Sequence, residues 1–168
     1  MIDNALAHSG SISSSLERPR AFDTILYGGL AVGILDGSAA VILSSLKGVS
    51  ATRVFQYIAS GMLGRASYNG GLTTVLLGVL IHFLIAFTVA TVYYRASLKL
   101  PMLVQRAALW GPIYGIAVHF AMRFIVLPLS AVQRPPFTFS GLLQNMIVHA
   151  LCVGLPVALI ARRSAKMN

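Results

Sequence analysis

Residues Leu72 to Tyr94 read LTTVLLGVLIHFLIAFTVATVYY, an apolar run in which His82 is the one group that titrates near neutrality. A helix of about 20 residues rises roughly 30 Å, the thickness of a bilayer's hydrocarbon core. The run is therefore long enough to cross a membrane. Three more runs match it: Thr24 to Leu46, Ala107 to Leu129, and Leu142 to Ala161. Strands are excluded, because a membrane barrel needs at least about eight spans of alternating polarity. Helices satisfy their own backbone groups, as lipid demands.

The composition agrees. Of the 168 residues, 57% are hydrophobic and 10% charged, and the mean hydropathy is +0.79. A soluble domain carries about 25% charged residues. So few charges cannot coat a water-facing globule, and the lipid bilayer is the expected surrounding. The expected fold is all-α: a polytopic bundle of four transmembrane helices.

The net charge of +9 does not point to nucleic acid, because the basic residues flank apolar runs instead of clustering. Arg18, Arg20, Arg95, Lys99, Arg106, Arg162, Arg163 and Lys166 fall on the side of the chain ends. Lys47, Arg53, Arg65 and Arg134 fall on the other. The richer side is expected to be cytoplasmic, so both termini lie inside. Residues 1–23 are serine-rich and lack the apolar core of a signal peptide, which predicts a mobile cytoplasmic tail. Residues 162–168 form a basic tail. Tyr93, Tyr94 and Trp110 suit interfacial belts. Cys152, the single cysteine, is expected to pack as a small apolar residue.

The first connection is more than loop. Ser50 can cap a short helix over residues 51–63, where Val54, Ile58 and Met62 recur every four residues while Arg53, Gln56 and Ser60 lie elsewhere. This predicts an amphipathic segment in the interface, with a re-entrant hairpin as the alternative. Gly64, Gly70 and Gly71 then turn the chain, and Pro135 and Pro136 break the last loop.

Two glycine stripes, Gly29/Gly33/Gly37 and Gly111/Gly115, have the spacing that lets helices approach closely in lipid. They predict packing within the chain, with a homo-oligomer as the other use. A membrane-protein partner is a further candidate.

Each span holds one ionisable residue near its middle: Asp36, His82, His119 and His149. Arg123 follows His119 by one turn, and Asn145 precedes His149 by one turn. A charge facing lipid costs about 2.5–3.5 kcal/mol or more, so these groups are expected to turn inward and form one polar cluster. Asp36 is expected to pair with Arg123 or a histidine. Three uses compete: hydrogen-bonded interior glue, a proton or ion pathway, and a cofactor site. No cofactor is expected. Haem held by two of His82, His119 and His149 is the weakest alternative, since no CxxCH, HExxH or second carboxylate accompanies them. No metal site is expected, and no nucleophile motif or Walker loop is present, so an enzyme is disfavoured.

From about Gly78 onward the chain resembles the YagU-like family of bacterial inner-membrane proteins. The resemblance rests on His82 with Tyr93 and Tyr94, then Gly111, Gly115 and His119, then Pro128, Pro135, Pro136 and Phe137, and last His149 with Arg162 and Arg163. Residues 47–71 depart from that pattern. The resemblance implies a bacterial cytoplasmic membrane and a loose link to acid stress, with no biochemical activity attached. The expected function is a proton- or ion-responsive or conducting membrane protein. The alternatives are a structural or accessory subunit and a haem-binding electron-transfer protein.

Overall fold

The structure, a computed structural model, describes residues 18–134 and 136–166. Most of the expected tail, residues 1–17, lies outside them, as do Pro135, Met167 and Asn168. Among the described residues there is no strand. Four helices are long and apolar enough to cross a membrane: Ala21–Ser45, Gly71–Lys99, Ala107–Leu129 and Phe139–Ser164. Each overlaps an expected span. The first helix already contains residues 21–23, and the fourth runs on through Arg162 and Arg163.

The order around the bundle is second, first, fourth, third. The glycine stripes set it. Gly29 lies against Phe87, Gly33 against Phe83 and Gly37 against His82, so the first stripe receives the second span's large side chains. Gly28 lies against Val157 of the fourth span. Gly111 and Gly115 meet Gly154 and the backbone at His149 and Ala150. Small residues let backbones approach in lipid, where dispersion holds helices together. The shared core is accordingly alanine- and valine-rich: Ala86, Ala90, Val153, Val157, Ala158 and Ala161.

Outward faces carry the large side chains. Leu76, Leu80 and Leu84 form an exposed stripe one turn apart on the second span. Such a surface has no stable place in water and suits acyl chains.

The ends of the described chain meet on one side. The Arg20 N–H donates to Ser164 Oγ at 3.2 Å, and the Thr24 and Ser164 hydroxyls pair at 3.2 Å within a buried contact. On this side Tyr93 departs from the belt expected of it. Its ring is fully buried, its hydroxyl donates to the Leu103 carbonyl at 2.8 Å, and it packs edge-on to Tyr114 at 4.9 Å. A short helix, Met102–Gln105, folds the loop back over the bundle and supplies that carbonyl. The Tyr114 hydroxyl also donates to Val89 O at 2.7 Å, so Tyr114 links the second and third spans through both its ring and its hydroxyl.

Opposite the chain ends lies the connecting helix Ala51–Leu63, capped by Ser50 as expected. Its buried face is only partly the one that the apolar spacing marks. Val54 is buried, but Met62 is exposed, while Gln56 and Ser60 are buried. The helix packs on the second span and leaves Met62 and Leu63 exposed. Its partner there is polar: Gln56 Nε2 reaches Gly71 O and Thr74 Oγ1, and Thr74 Oγ1 donates to Ser67 O at 2.7 Å. Gly78 admits the Phe55 carbonyl into direct backbone contact. The Ala131 N–H donates to Gly61 O at 2.9 Å, tying this helix to the end of the third span.

Two spans contain π-helical turns, at Met122–Val126 and His149–Gly154. Each ends just before a proline. Pro128 and Pro156 have no N–H for the carbonyl four residues back, and their rings crowd it. The chain widens instead: Leu127 N–H bonds Met122 O, and Leu155 N–H bonds Ala150 O. Wide turns of this kind are frequent at functional sites.

Candidate functional site

The six polar residues do not meet in one cluster. Two sites form, on opposite flanks of the first and fourth spans.

His82 occupies the first. Its Nε2 lies 2.9 Å from the Gly33 carbonyl. A carbonyl only accepts, so Nε2 carries the proton and donates. The ring sits edge-on to Phe55 at 6.4 Å and to Phe83 at 5.7 Å. It borders a groove of about 430 Å³ between the first two spans, roofed by Phe55 and otherwise lined by Gly33, Gly37, Val41 and Ile42 among others. His82 is thus satisfied by a hydrogen bond between helices.

Asp36 departs from its expected pairing. Among the described residues the one ion pair is Arg20–Asp23 at 3.3 Å. The reason is topological. Gly33 and Gly37 face the second span, so Asp36 turns toward the fourth, within Coulombic reach of Cys152. The fourth span stands between the first and the third, which carries Arg123.

His119 and His149 form the second site. Their rings lie 5.1 Å apart at 68°, edge to face, on neighbouring spans. The pairing follows from the glycines. Gly115 is one turn before His119 on the same face, and a side chain there would strike the His149 carbonyl carbon at 2.7 Å. The close approach brings the two imidazoles together. His149 Nδ1 lies 2.9 Å from the Asn145 carbonyl and must donate, which leaves its Nε2 free. His119 is 7% exposed, and its Nε2 is buried with no hydrogen-bond partner.

Arg123 follows His119 by one turn on the third span. It lies six residues before Leu129, about 9 Å along the helix, toward the side opposite the chain ends. Its guanidinium rests over the Phe137 ring at 4.9 Å and near Phe124 at 6.0 Å. Asn145 is exposed, and its amide donates to Gly141 O at 2.7 Å on its own helix. It serves the site through its backbone carbonyl, not the side chain that singled it out.

The histidine geometry lends the haem alternative no support. Two axial imidazoles face one another across a flat slot filled by the porphyrin, whereas these rings are in edge contact. His82 faces away on the second span. No group of three histidine, cysteine or acidic side chains that could hold a metal occurs among the described residues.

Sequence reasoning missed Gly154, Tyr114 and the Thr24–Ser164 clasp. Gly154 and Ala158 do carry a legible signal, a small pair one turn apart. No protein-family model, curated protein or solved structure matches the chain.

Proposed function

We propose that the protein is a proton-responsive membrane protein whose His119–His149 pair takes up and releases a proton within the bundle. The observation behind this reading is the buried, unpartnered His119 Nε2 beside a second imidazole. Histidine is the side chain that titrates near neutral pH. Two imidazoles in contact do not both charge readily, since like charges repel. The Asn145 carbonyl holds the His149 tautomer, and the Gly115 contact holds the ring separation. Either a sensor or a pathway for protons or small ions would use this arrangement.

The test is proton flux and pH-dependent conformation in proteoliposomes. His119→Gln and His149→Gln are each expected to abolish the response, while His82→Gln leaves it. An unchanged response in both site variants sinks the reading.

A structural or accessory role is the second reading, and His82 favours it: its bond to Gly33 O ties two spans together. We assign the protein to a bacterial cytoplasmic membrane with both ends inside, beside the YagU-like family. The eight-to-four excess of basic residues on the side of the chain ends supports the orientation. The family's loose link to acid stress is in keeping with a histidine pair. Labelling of single cysteines introduced near Lys99 and near Arg134 tests the orientation.

A further inference from the structure

We infer that the species held at this site is an anion, bound by Arg123 with the His119 and His149 imidazoles. The inference rests on the reading of that pair as functional and names the chemical class it handles.

Charge bookkeeping comes first. The chain has four acidic residues, Asp3, Glu17, Asp23 and Asp36, and none follows Asp36. The third and fourth spans and the loop joining them therefore hold no carboxylate at all. Arg123 has no anionic partner among the described residues; its neighbours are the faces of Phe137 and Phe124. An aromatic face attracts a cation by quadrupole but does not neutralise it. Every other charge on this side is also positive: Lys47, Arg53, Arg65 and Arg134.

The local donors point the same way. Arginine carries five N–H donors and accepts nothing. His119 presents a buried nitrogen with no partner, and the His149 Nε2 is free. When either ring is protonated, these positions become N–H donors. The charged or titratable groups in electrostatic reach of His119 are His149 on the fourth span and Arg123 on its own. None of the three is an anion. A metal or organic cation entering here is repelled by a fixed guanidinium. An anion is attracted, and it stabilises the protonated imidazole beside it. Anion binding and proton uptake thus reinforce one another, and binding tightens as pH falls.

The anion is either a small dissolved one or the phosphate of a lipid, and one experiment separates them. The full chain, with histidine labelled in ¹⁵N, is placed in vesicles of zwitterionic lipid at fixed pH and titrated with sodium formate. A parallel sample contains phosphatidylglycerol and no formate. Formate is expected to shift the His119 and His149 signals saturably and leave His82 in place. Arg123→Gln is expected to weaken this about tenfold or more, as the loss of one charge-assisted hydrogen bond implies. Arg123→Lys retains part of it, and Arg134→Gln all of it. Shifts with phosphatidylglycerol alone make the lipid phosphate the ligand and uphold the site.

No shift with either anion, or equal shifts in Arg123→Gln, overturns the inference. An unmoved His82 signal in that variant rules out misfolding as the cause. If both histidines titrate between about pH 5 and 8 without any anion response, the inference fails and the proton reading stands. If the anion binds while neither histidine titrates, the proton reading fails instead.

Discussion

Replacing Gly115 with alanine adds one methyl group at the point where the third and fourth spans come closest. An ordinary Cβ at Gly115 would sit 2.7 Å from the His149 carbonyl carbon and 2.9 Å from Ala150 Cα, with the His149 carbonyl oxygen nearer still. These are backbone atoms, so no rotamer change relieves the clash. Normal contact needs about 3.5–4.0 Å between carbons, so the helices must part by roughly 1 Å. A gap of that size forfeits a quarter to a half of each contact's attraction along the seam. Overpacking of this kind costs about 1–3 kcal/mol, against a gain of up to about 1 kcal/mol for alanine over glycine in a helix. We expect Gly115→Ala to destabilise the bundle by about 1–2 kcal/mol and to separate His119 from His149. Gly61→Ala is the control: its Cβ would meet only Ser130 Cβ at 3.8 Å, so it should be neutral or stabilising. Reversible unfolding in mixed micelles, followed by helical circular dichroism, measures both. If Gly115→Ala unfolds no more easily than Gly61→Ala, the close glycine seam is not what joins these spans. The account of how the histidines are brought together then fails with it.

Three further outcomes follow from particular contacts. His82 and His149 should be neutral in opposite tautomers, Nε2–H and Nδ1–H, because each donates to a carbonyl from a different nitrogen; ¹⁵N spectra at high pH read this directly, and identical tautomers would contradict the assigned bonds. Tyr93→Phe strands the buried Leu103 carbonyl and should cost about 1–3 kcal/mol, whereas Tyr94→Phe should change stability by less than about 0.5 kcal/mol in the same assay. Burial, aided by Tyr68, holds the Tyr57 phenol above its ordinary 10.0 against the opposing pull of Arg134. The unfolded chain loses this proton first, so this group's effect on stability is constant below pH 10 and lowers stability as pH rises past it. Absorbance of the phenolate should show late ionisation, and Arg134→Gln should delay it further.

The spans were legible because hydrocarbon imposes a length and a polarity that nothing else in the sequence imitates. The run Ala107–Leu129 emerges with the same bounds in the structure, and the connecting helix matches its expected 51–63. Which face that helix buries was not legible. Its apolar spacing pointed to Val54, Ile58 and Met62, but Gln56 finds Thr74 and Gly71, partners that spacing alone does not disclose. The glycine stripes correctly marked close approach, yet their partners depended on the order of the spans. That order also decides the polar residues. Four inward-facing groups suggest one meeting point only if the bundle is square. Here the fourth span divides Asp36 from Arg123, and the inward residues separate into two sites.

That separation is itself informative about function. A polar group kept for packing is expected to close its hydrogen bonds inside the membrane, as His82 does on Gly33. Such bonds are worth only about 0.6 kcal/mol on average, so a packing role gives little reason to tolerate an unsatisfied one. His119 is buried with an unsatisfied nitrogen, which costs about 1–3 kcal/mol, beside an arginine whose charge no carboxylate offsets. Alanine at position 119 would pack against Gly115 and His149 without that penalty. Two histidines in one bundle thus follow different rules, one bonded to the backbone of a neighbouring span and one with a buried nitrogen left unpartnered. The open site is where a proton, or the anion that accompanies it, has something to gain by binding.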